Sequence, residues 1–419
     1  MNTVQFIQAM DGGPAGTGTN QASALFIRAY GHDPEGVWSA PGRVNLIGEH
    51  TDYNGGLCLP IALPHRTFLA LSPRRDDLVH LVSSKGDGKT VEVHLDGLEA
   101  GGVQGWSAYP VGVAWALRSM GMDGVHGFDA AFVSSVPVGG GLSSSAAMTC
   151  SSALALDDVF GLGLGGSDRG RVRLIQAAMM AENDMAGAST GGMDQNASMR
   201  CQPGHALRLD CRSDLDAMHN VRQEEFDLKS MGLELLVVDT QAPHQLNDGQ
   251  YAQRRRTCEE AARTLGVSDL RVVADRVNGS GDPQTALARV LEALPDQVSR
   301  RRVRHVISEI GRVDDFISAF AARDVVRAGE LFNASHDSLR DDYQVTVPEL
   351  DTAVNVARAD GAYGARMTGG GFGGSIIALV DAGLAAQVAQ DIADEFRRKG
   401  FHEPRALSAV ASSSARREA

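Results

Sequence analysis

Val136-Pro137-Val138-Gly139-Gly140-Gly141-Leu142-Ser143-Ser144-Ser145-Ala146-Ala147 is a glycine run that becomes a serine run at the start of an apolar helix. Glycines let a backbone approach a ligand with no Cβ in the way, and the free N–H groups of the following helix carry the positive end of its dipole. The run therefore reads as an anion cradle, with phosphate the expected guest. Residues 128–133 read as a strand and 148–160 carry apolar residues at helical spacing, which places the loop between strand and helix. It is not the common Gly-Lys-Ser/Thr phosphate loop, because the four lysines, Lys85, Lys89, Lys229 and Lys399, all lie elsewhere. The plainer alternative is a tight strand-to-helix turn with a serine N-cap; three hydroxyls free for phosphate or Mg²⁺ weigh against it.

With 419 residues, 43% of them hydrophobic, the chain has length for two domains and material for sizeable cores. A net charge of −13 argues against nucleic acid as a partner, since such binders present basic faces. The one basic run, Arg300-Arg301-Arg302-Val303-Arg304, opens a strongly periodic helix and reads as a solvated helix face. Five cysteines (Cys58, Cys150, Cys201, Cys211, Cys258), without metal-like spacing, read as reduced thiols. No basic, apolar leader opens the sequence, and no window approaches the roughly 18 apolar residues of a membrane span. The expectation is a soluble cytoplasmic protein with no membrane partner.

The second informative stretch runs from Trp38 to Gly56 and contains Gly42-Arg43-Val44-Asn45-Leu46-Ile47-Gly48-Glu49-His50-Thr51-Asp52-Tyr53-Asn54-Gly55-Gly56. Asn54-Gly55 between two β-like runs predicts a hairpin. Glu49, His50 and Asp52 can converge on one ligand only if the backbone leaves strand geometry there, because successive strand residues face opposite ways. Carboxylates and an imidazole suit a polyol, whose hydroxyls they can bond and discriminate; a solvated polar turn is the bland alternative. Further on, residues 65–98 alternate as antiparallel strands, 106–120 and 171–185 read as helices, and Gly187 to Asn196 places Asp194 after Gly191-Gly192. The run Met367-Thr368-Gly369-Gly370-Gly371-Phe372-Gly373-Gly374-Ser375 leads into a strand, so it reads as a close-packing loop rather than a phosphate loop.

PVGGGLSSSAA resembles the nucleotide loop of the GHMP small-molecule kinases, and GRVNLIGEHTDYNGG is similar, nearly residue by residue, to the signature of their galactokinase branch. Gly191-Gly192-Met193-Asp194-Gln195 and residues 367–375 resemble further motifs of the same family, so the likeness spans nearly the whole chain. The flanking Ala188-Ser189-Thr190 departs from the family's commoner Cys-Gly-Ile.

The resemblance implies an α+β, two-domain GHMP kinase fold: a ribosomal-protein-S5-like N-terminal domain (1–215), a ferredoxin-like C-terminal domain (216–419) and an active site in the cleft between them. It implies transfer of a phosphoryl group from ATP to the C1 hydroxyl of α-D-galactose, the entry step of galactose catabolism by the Leloir pathway, in a monomer. Asp194 would be the base or orienting carboxylate, and Arg43 would pair with it and face the transferring group. A neighbouring guanidinium stabilises a carboxylate and so weakens it as a base, which leaves both roles for Asp194 open. Glu49, His50, Asp52, Gly191 and Tyr251, with Arg43 and Asp194, would bind the sugar. Gly139, Gly140, Gly141, Leu142, Ser143, Ser144 and Ser145 would hold ATP. Ser145 and Glu182 would hold Mg²⁺. The family also places an aromatic near the adenine, here Trp106, for which core packing is the alternative. A kinase for N-acetylgalactosamine and a non-catalytic galactose sensor are rival readings; the intact Thr51, Asn54-Gly55-Gly56 and serine loop weigh against them.

Overall fold

The computed structural model describes residues 3–86, 88–188, 190–242 and 248–419. Among these, strands numbered in chain order form three sheets. The first holds β1 (Gln5–Phe6), β10 (Leu233–Asp239), β11 (Gly364–Thr368), β12 (Ser375–Asp381) and β13 (Arg405–Ala409), in the order β1-β13-β10-β12-β11. The second holds β2 (Gly36–Asn45), β4 (Pro60–Pro73), β5 (Leu78–Ser83), β6 (Val91–His94), β7 (Phe128–Ser134) and β14 (Arg416–Arg417), in the order β14-β2-β4-β7-β5-β6. The third is β3 (Leu57–Cys58), β8 (His205–Asp210) and β9 (Val221–Glu225). Helices cover the larger sheets, giving the α+β architecture expected.

Three features depart from the simplest sequence reading. β2 and β4 pair antiparallel from Gly36↔Leu71 to Asn45↔Pro60, but Asn54-Gly55 is not their turn. The chain instead makes an excursion over 46–56, in which Asp52–Asn54 is a short 3₁₀ turn closed by Gly55 at φ 67°. The Asn-Gly signal marked a turn correctly and its partners wrongly, because the left-handed glycine ends a helical turn rather than a hairpin. β5 is antiparallel to β6 as expected, yet parallel to β7.

The packing explains why the excursion is rigid. Leu46, Ile47, Leu57 and Leu142, from the signature stretch and the glycine-serine loop, are buried in one continuous core with Leu235, Val237, Val306, Ile310 and Ile376. Burial of a Leu or Ile side chain is worth about 1.5–3 kcal/mol, so these loops are pinned from beneath rather than merely tethered at their ends. A second core lies between the six-stranded sheet and the helices Ala108–Ser119, Ser144–Val159 and Asp168–Met180.

The basic run is the third departure. In the helix Gln297–Ala321, Arg302 is buried, donating to the backbone carbonyl of Asp342 and to Gln344 Oε1 at 2.9 Å. Its guanidinium lies 5.7 Å from the centre of the Tyr343 ring. A solvated face would need no such partners; the arginine points inward, where a carbonyl, an amide oxygen and an aromatic ring meet its two terminal nitrogens, while its Nε has no partner.

Both ends of the described chain cross between sheets. β1 joins the sheet built otherwise from residues 233–409, and β14 joins β2. The boundary expected between residues 215 and 216 falls inside the β8–β9 pair. Beyond β14, Glu418 is buried and accepts hydrogen bonds from Gly13 N (2.7 Å), Ser39 Oγ (2.6 Å) and Arg416 Nε (2.9 Å). It also lies 3.8 Å from buried Arg66. Removing one partner of a buried ion pair strands the other, so Glu418→Ala should cost about 3 kcal/mol in chemical denaturation. A loss below about 0.5 kcal/mol, the size of an ordinary surface change, would show that the strap is incidental.

Candidate active site

β7 delivers the chain into the glycine-serine loop. Gly139 and Gly141 have positive φ (77° and 70°), and Ser143 sits in the same left-handed region (φ 58°) at the N-cap of the helix Ser144–Val159. No side chain caps this N-terminus, so its N–H groups and dipole are left for an anion. The loop is clamped from behind by the second glycine run. Ser375 Oγ donates to Gly140 O (2.6 Å), and Arg43 donates to Gly141 O through Nη1 (2.7 Å) and to Leu142 O through its backbone N–H (3.1 Å). A Cβ on Gly369 would lie 2.8 Å from Gly141 O, which only a residue without a side chain avoids. Residues 367–375 thus serve as the packing loop their sequence suggested.

Asp194 opens the helix Met193–Arg200 behind Gly192 (φ 93°). Its Oδ1 accepts from Arg43 Nε at 2.8 Å and its Oδ2 from Ser143 Oγ. Ser143, expected as an ATP ligand, is therefore engaged with Asp194, and the phosphate loop and the acid are joined directly.

Asp52, from the excursion, comes near enough to Asp194 to feel its charge. A Cβ on Gly191 would stand 2.2 Å from Asp52 Oδ2, so the bare backbone at 191 is what admits the carboxylate. Burial, then the charge of Asp194, push the Asp52 pKa up to about 6. His50 adopts φ 61°, a left-handed conformation that few non-glycine residues take. Its Nδ1 lies 2.8 Å from Tyr53 Oη, and its ring packs 5.4 Å from that of Tyr251 and 4.8 Å from that of Tyr343. Burial, with His305 and Arg254 nearby, lowers its pKa to about 3, so it is a neutral imidazole. Its Nε2 is buried and makes no hydrogen bond of good geometry, although the Gly370 backbone is close enough to favour the protonated ring.

Glu49 differs most from expectation. It is 2% exposed; Oε1 accepts from Gly369 N (2.6 Å), and Oε2 accepts from Asn45 Nδ2 (2.7 Å) and Arg366 Nη2 (2.8 Å). With three of roughly four acceptor positions taken, it can offer a sugar one hydrogen bond at most, and it mainly ties the excursion to the packing loop.

Glu182 lies in a π-helical turn, Ala181–Met185, and is buried. Oε1 accepts from Thr149 Oγ1 (3.1 Å) and Gln195 Nε2 (2.7 Å), and Ser145 is also a hydrogen-bond partner. Burial, then Asp194, raise its pKa to about 7. Ser145 and Glu182 offer only oxygen, the donor set of a hard divalent ion; among the described residues no group of three His, Cys, Asp or Glu could hold a metal, so phosphate and water would complete the shell. Trp106 sits half-buried, edge-on to Phe132 with centroids 6.0 Å apart, in the packing around the six-stranded sheet. The departure at Ala188-Ser189-Thr190 is partly outside the described residues, which omit Ser189; Thr190 N donates to Asn183 Oδ1 (2.8 Å).

The sequence marks the stretch 335–351, with Tyr343, only as lining the cleft, and gives no sign of the wall that Tyr343 forms with Tyr53, His305, Glu309 and Arg366. Tyr53 and Tyr343 hydroxyls lie 2.8 Å apart, and Arg254 Nε donates to Tyr343 O (2.9 Å). The signal available was polar residues falling on the apolar stripe of a helix at 302, 305 and 309. Gly191→Ala should force the Asp52 carboxylate aside, with a stability cost of about 1–3 kcal/mol for overpacking but loss of most turnover. Near-normal turnover would mean that Asp52 need not stand there.

Three family models match: "Galactokinase galactose-binding signature" over 24–73, "GHMP kinases N terminal domain" over 108–202 and "GHMP kinases C terminal" over 316–398. The chain is 46% identical over 393 residues to a galactokinase of Streptomyces coelicolor, covering 94% of this chain and 96% of that one. It is 39% identical over 387 residues to a galactokinase of Canis lupus familiaris, covering 90% and 91%. A crystal structure of Lactococcus lactis galactokinase complexed with galactose superposes with a TM-score of 0.83 at 29% identity, over 94% of this chain and 98% of that one. Mevalonate kinase shares the fold, with a TM-score of 0.60 at 16% identity. With its signature loop, its glycine-serine loop and its packing loop meeting around Asp194, the chain belongs to the galactokinase family of GHMP kinases.

Proposed function

We propose that this chain transfers the γ-phosphoryl group of ATP to the C1 hydroxyl of galactose, with Asp194 facing that hydroxyl. The observation that carries this reading is Asp194 itself, held by Arg43 on one side and by Ser143 of the anion cradle on the other. A hydroxyl bonded to this carboxylate stands beside the loop that presents the phosphate, which is the positioning that loose phosphoryl transfer requires. Asp194 orients the hydroxyl and takes its proton as the bond to phosphorus forms. Among the described residues no hydrogen bond uses Arg43 Nη2, which leaves it for the charge on the transferring group. Asp52, His50, Glu49, Gly191 and Tyr251 bind the remaining sugar surface. The loop 139–145 holds the phosphates, and Trp106 is assigned to the adenine end.

Mg²⁺ fits the oxygen pair of Ser145 and Glu182, and when bound it would neutralise phosphate charge. We assign the chain to a monomer on its likeness to the family, and five free cysteines suit a cytoplasmic location. The two-domain division is best drawn by sheets, with β1 assigned to the C-terminal domain and β14 to the N-terminal one.

Turnover should require galactose: ADP release with Mg-ATP should be robust for it and near background for glucose, N-acetylgalactosamine, mevalonate and homoserine. Asp194→Asn should lower kcat by about 10²–10⁴ while sugar still binds. Robust turnover of another of these substrates in place of galactose would overturn the reading. The pH dependence follows from Glu182. A carboxyl with its pKa raised to about 7 is protonated, and useless as a ligand, below that pH. The Mg²⁺ concentration for half-maximal rate should therefore rise as pH falls through 7, approaching about tenfold per unit. A flat Mg²⁺ requirement from about pH 8 to 6 would remove Glu182 from the metal site.

A further inference from the structure

The excursion that carries Glu49, His50 and Asp52 is only partly held from within, by Thr51 Oγ1 donating to Gly48 O (2.8 Å) and Asn54 Nδ2 donating to His50 O (2.9 Å). Gly48 and His50 both have positive φ (91° and 61°), and for a histidine this conformation costs of order 1 kcal/mol. Strain of this kind persists only where surrounding groups fix it. Here the groups that fix the N–H side of the strained stretch come from the helix Gln297–Ala321, more than two hundred residues further along the chain. Glu309 Oε1 accepts from Gly48 N (3.0 Å) and Glu49 N (3.2 Å) and is itself fixed by Ser335 Oγ (2.7 Å). Its Oε2 accepts from Arg312 Nε (2.7 Å), and Arg366 stands 4.0 Å away. One helical turn earlier, His305 Nε2 lies 3.0 Å from Glu49 O, and its Nδ1 lies 2.9 Å from Ser338 Oγ. Glu309 and His305 thus hold two N–H groups and the carbonyl immediately before His50, and neither has any exposed surface.

We propose that Glu309 is the positioning residue for sugar recognition, acting with His305 to set the backbone of residues 48–50 and so the aim of His50 and Asp52. A carboxylate is required rather than any polar group. It accepts on both oxygens, whereas an isosteric amide offers one acceptor and one donor end and cannot serve both the loop N–H groups and Arg312. The nucleotide loop has further supports in Ser375 and Arg43, which Glu309 does not touch, so the sugar should respond much more than ATP.

The inference rests on galactose being the ligand, and the test separates the two. Galactose and ATP dissociation constants are measured by calorimetry for the unaltered chain, Glu309→Gln and Ser335→Ala. Glu309→Gln should weaken galactose by about tenfold, the size of one lost hydrogen bond to a charged group, with ATP affinity within about twofold. Ser335→Ala removes only the hydroxyl that fixes Oε1, and should move galactose the same way by about threefold even if Glu309→Gln does not fold. A purely structural role would lower the melting midpoint and leave both constants unchanged, or weaken both together; either result overturns the inference. Failure of the unaltered chain to bind galactose would instead overturn the substrate assignment.

Discussion

The contact between Arg43 and Asp194 is the interaction on which the site depends. Arg43 lies on β2 and donates both to Asp194 and to Gly141 O, so a single buried guanidinium fixes the acid relative to the phosphate cradle. Ser143 closes the triangle from the cradle side. A guanidinium suits this place because its planar fork can serve a carboxylate and a carbonyl at once, in fixed directions, which a flexible ammonium cannot. Three carboxylates, Asp52, Asp194 and Glu182, are gathered close enough for each of the other two to feel the charge of Asp194, and Arg43 is the cation set among them.

The cradle is in turn held by packing that only glycine permits. Gly369 and Gly374 lie against Gly141 and Gly140 backbone to backbone, while Glu49 reaches across to the Gly369 N–H. The sugar loop, the packing loop and the phosphate loop are therefore one connected body. Its apolar underside, including Leu46, Ile47 and Leu142, belongs to the same core as the C-terminal sheet.

The parts of the site legible in the sequence were those whose chemistry is local. A glycine-serine run before a helix, glycines ahead of Asp194, and acids crowded into a turn each announce themselves within about ten residues. The same locality explains the errors. Asn54-Gly55 carries a hairpin signal, but burial of Leu46, Ile47 and Leu57 beneath the loop outweighs it. Arg302 looked like surface charge because its partners, Tyr343 and Gln344, are some forty residues away and nothing in the run names them. Ser143 and Glu49 were read as facing ligands, whereas the structure spends much of their bonding capacity on Asp194, Arg366 and Gly369. Glu309 was invisible for the same reason: its meaning lies in two N–H groups far away in the chain.

The most direct test of this account is a crystal structure of the chain with galactose and a non-hydrolysable ATP analogue. The account predicts the C1 hydroxyl within about 2.6–3.2 Å of Asp194, on the side facing the γ-phosphate, with the Arg43 contact kept. A C1 hydroxyl turned away from Asp194, or a sugar bound with another hydroxyl toward the phosphate, would contradict it.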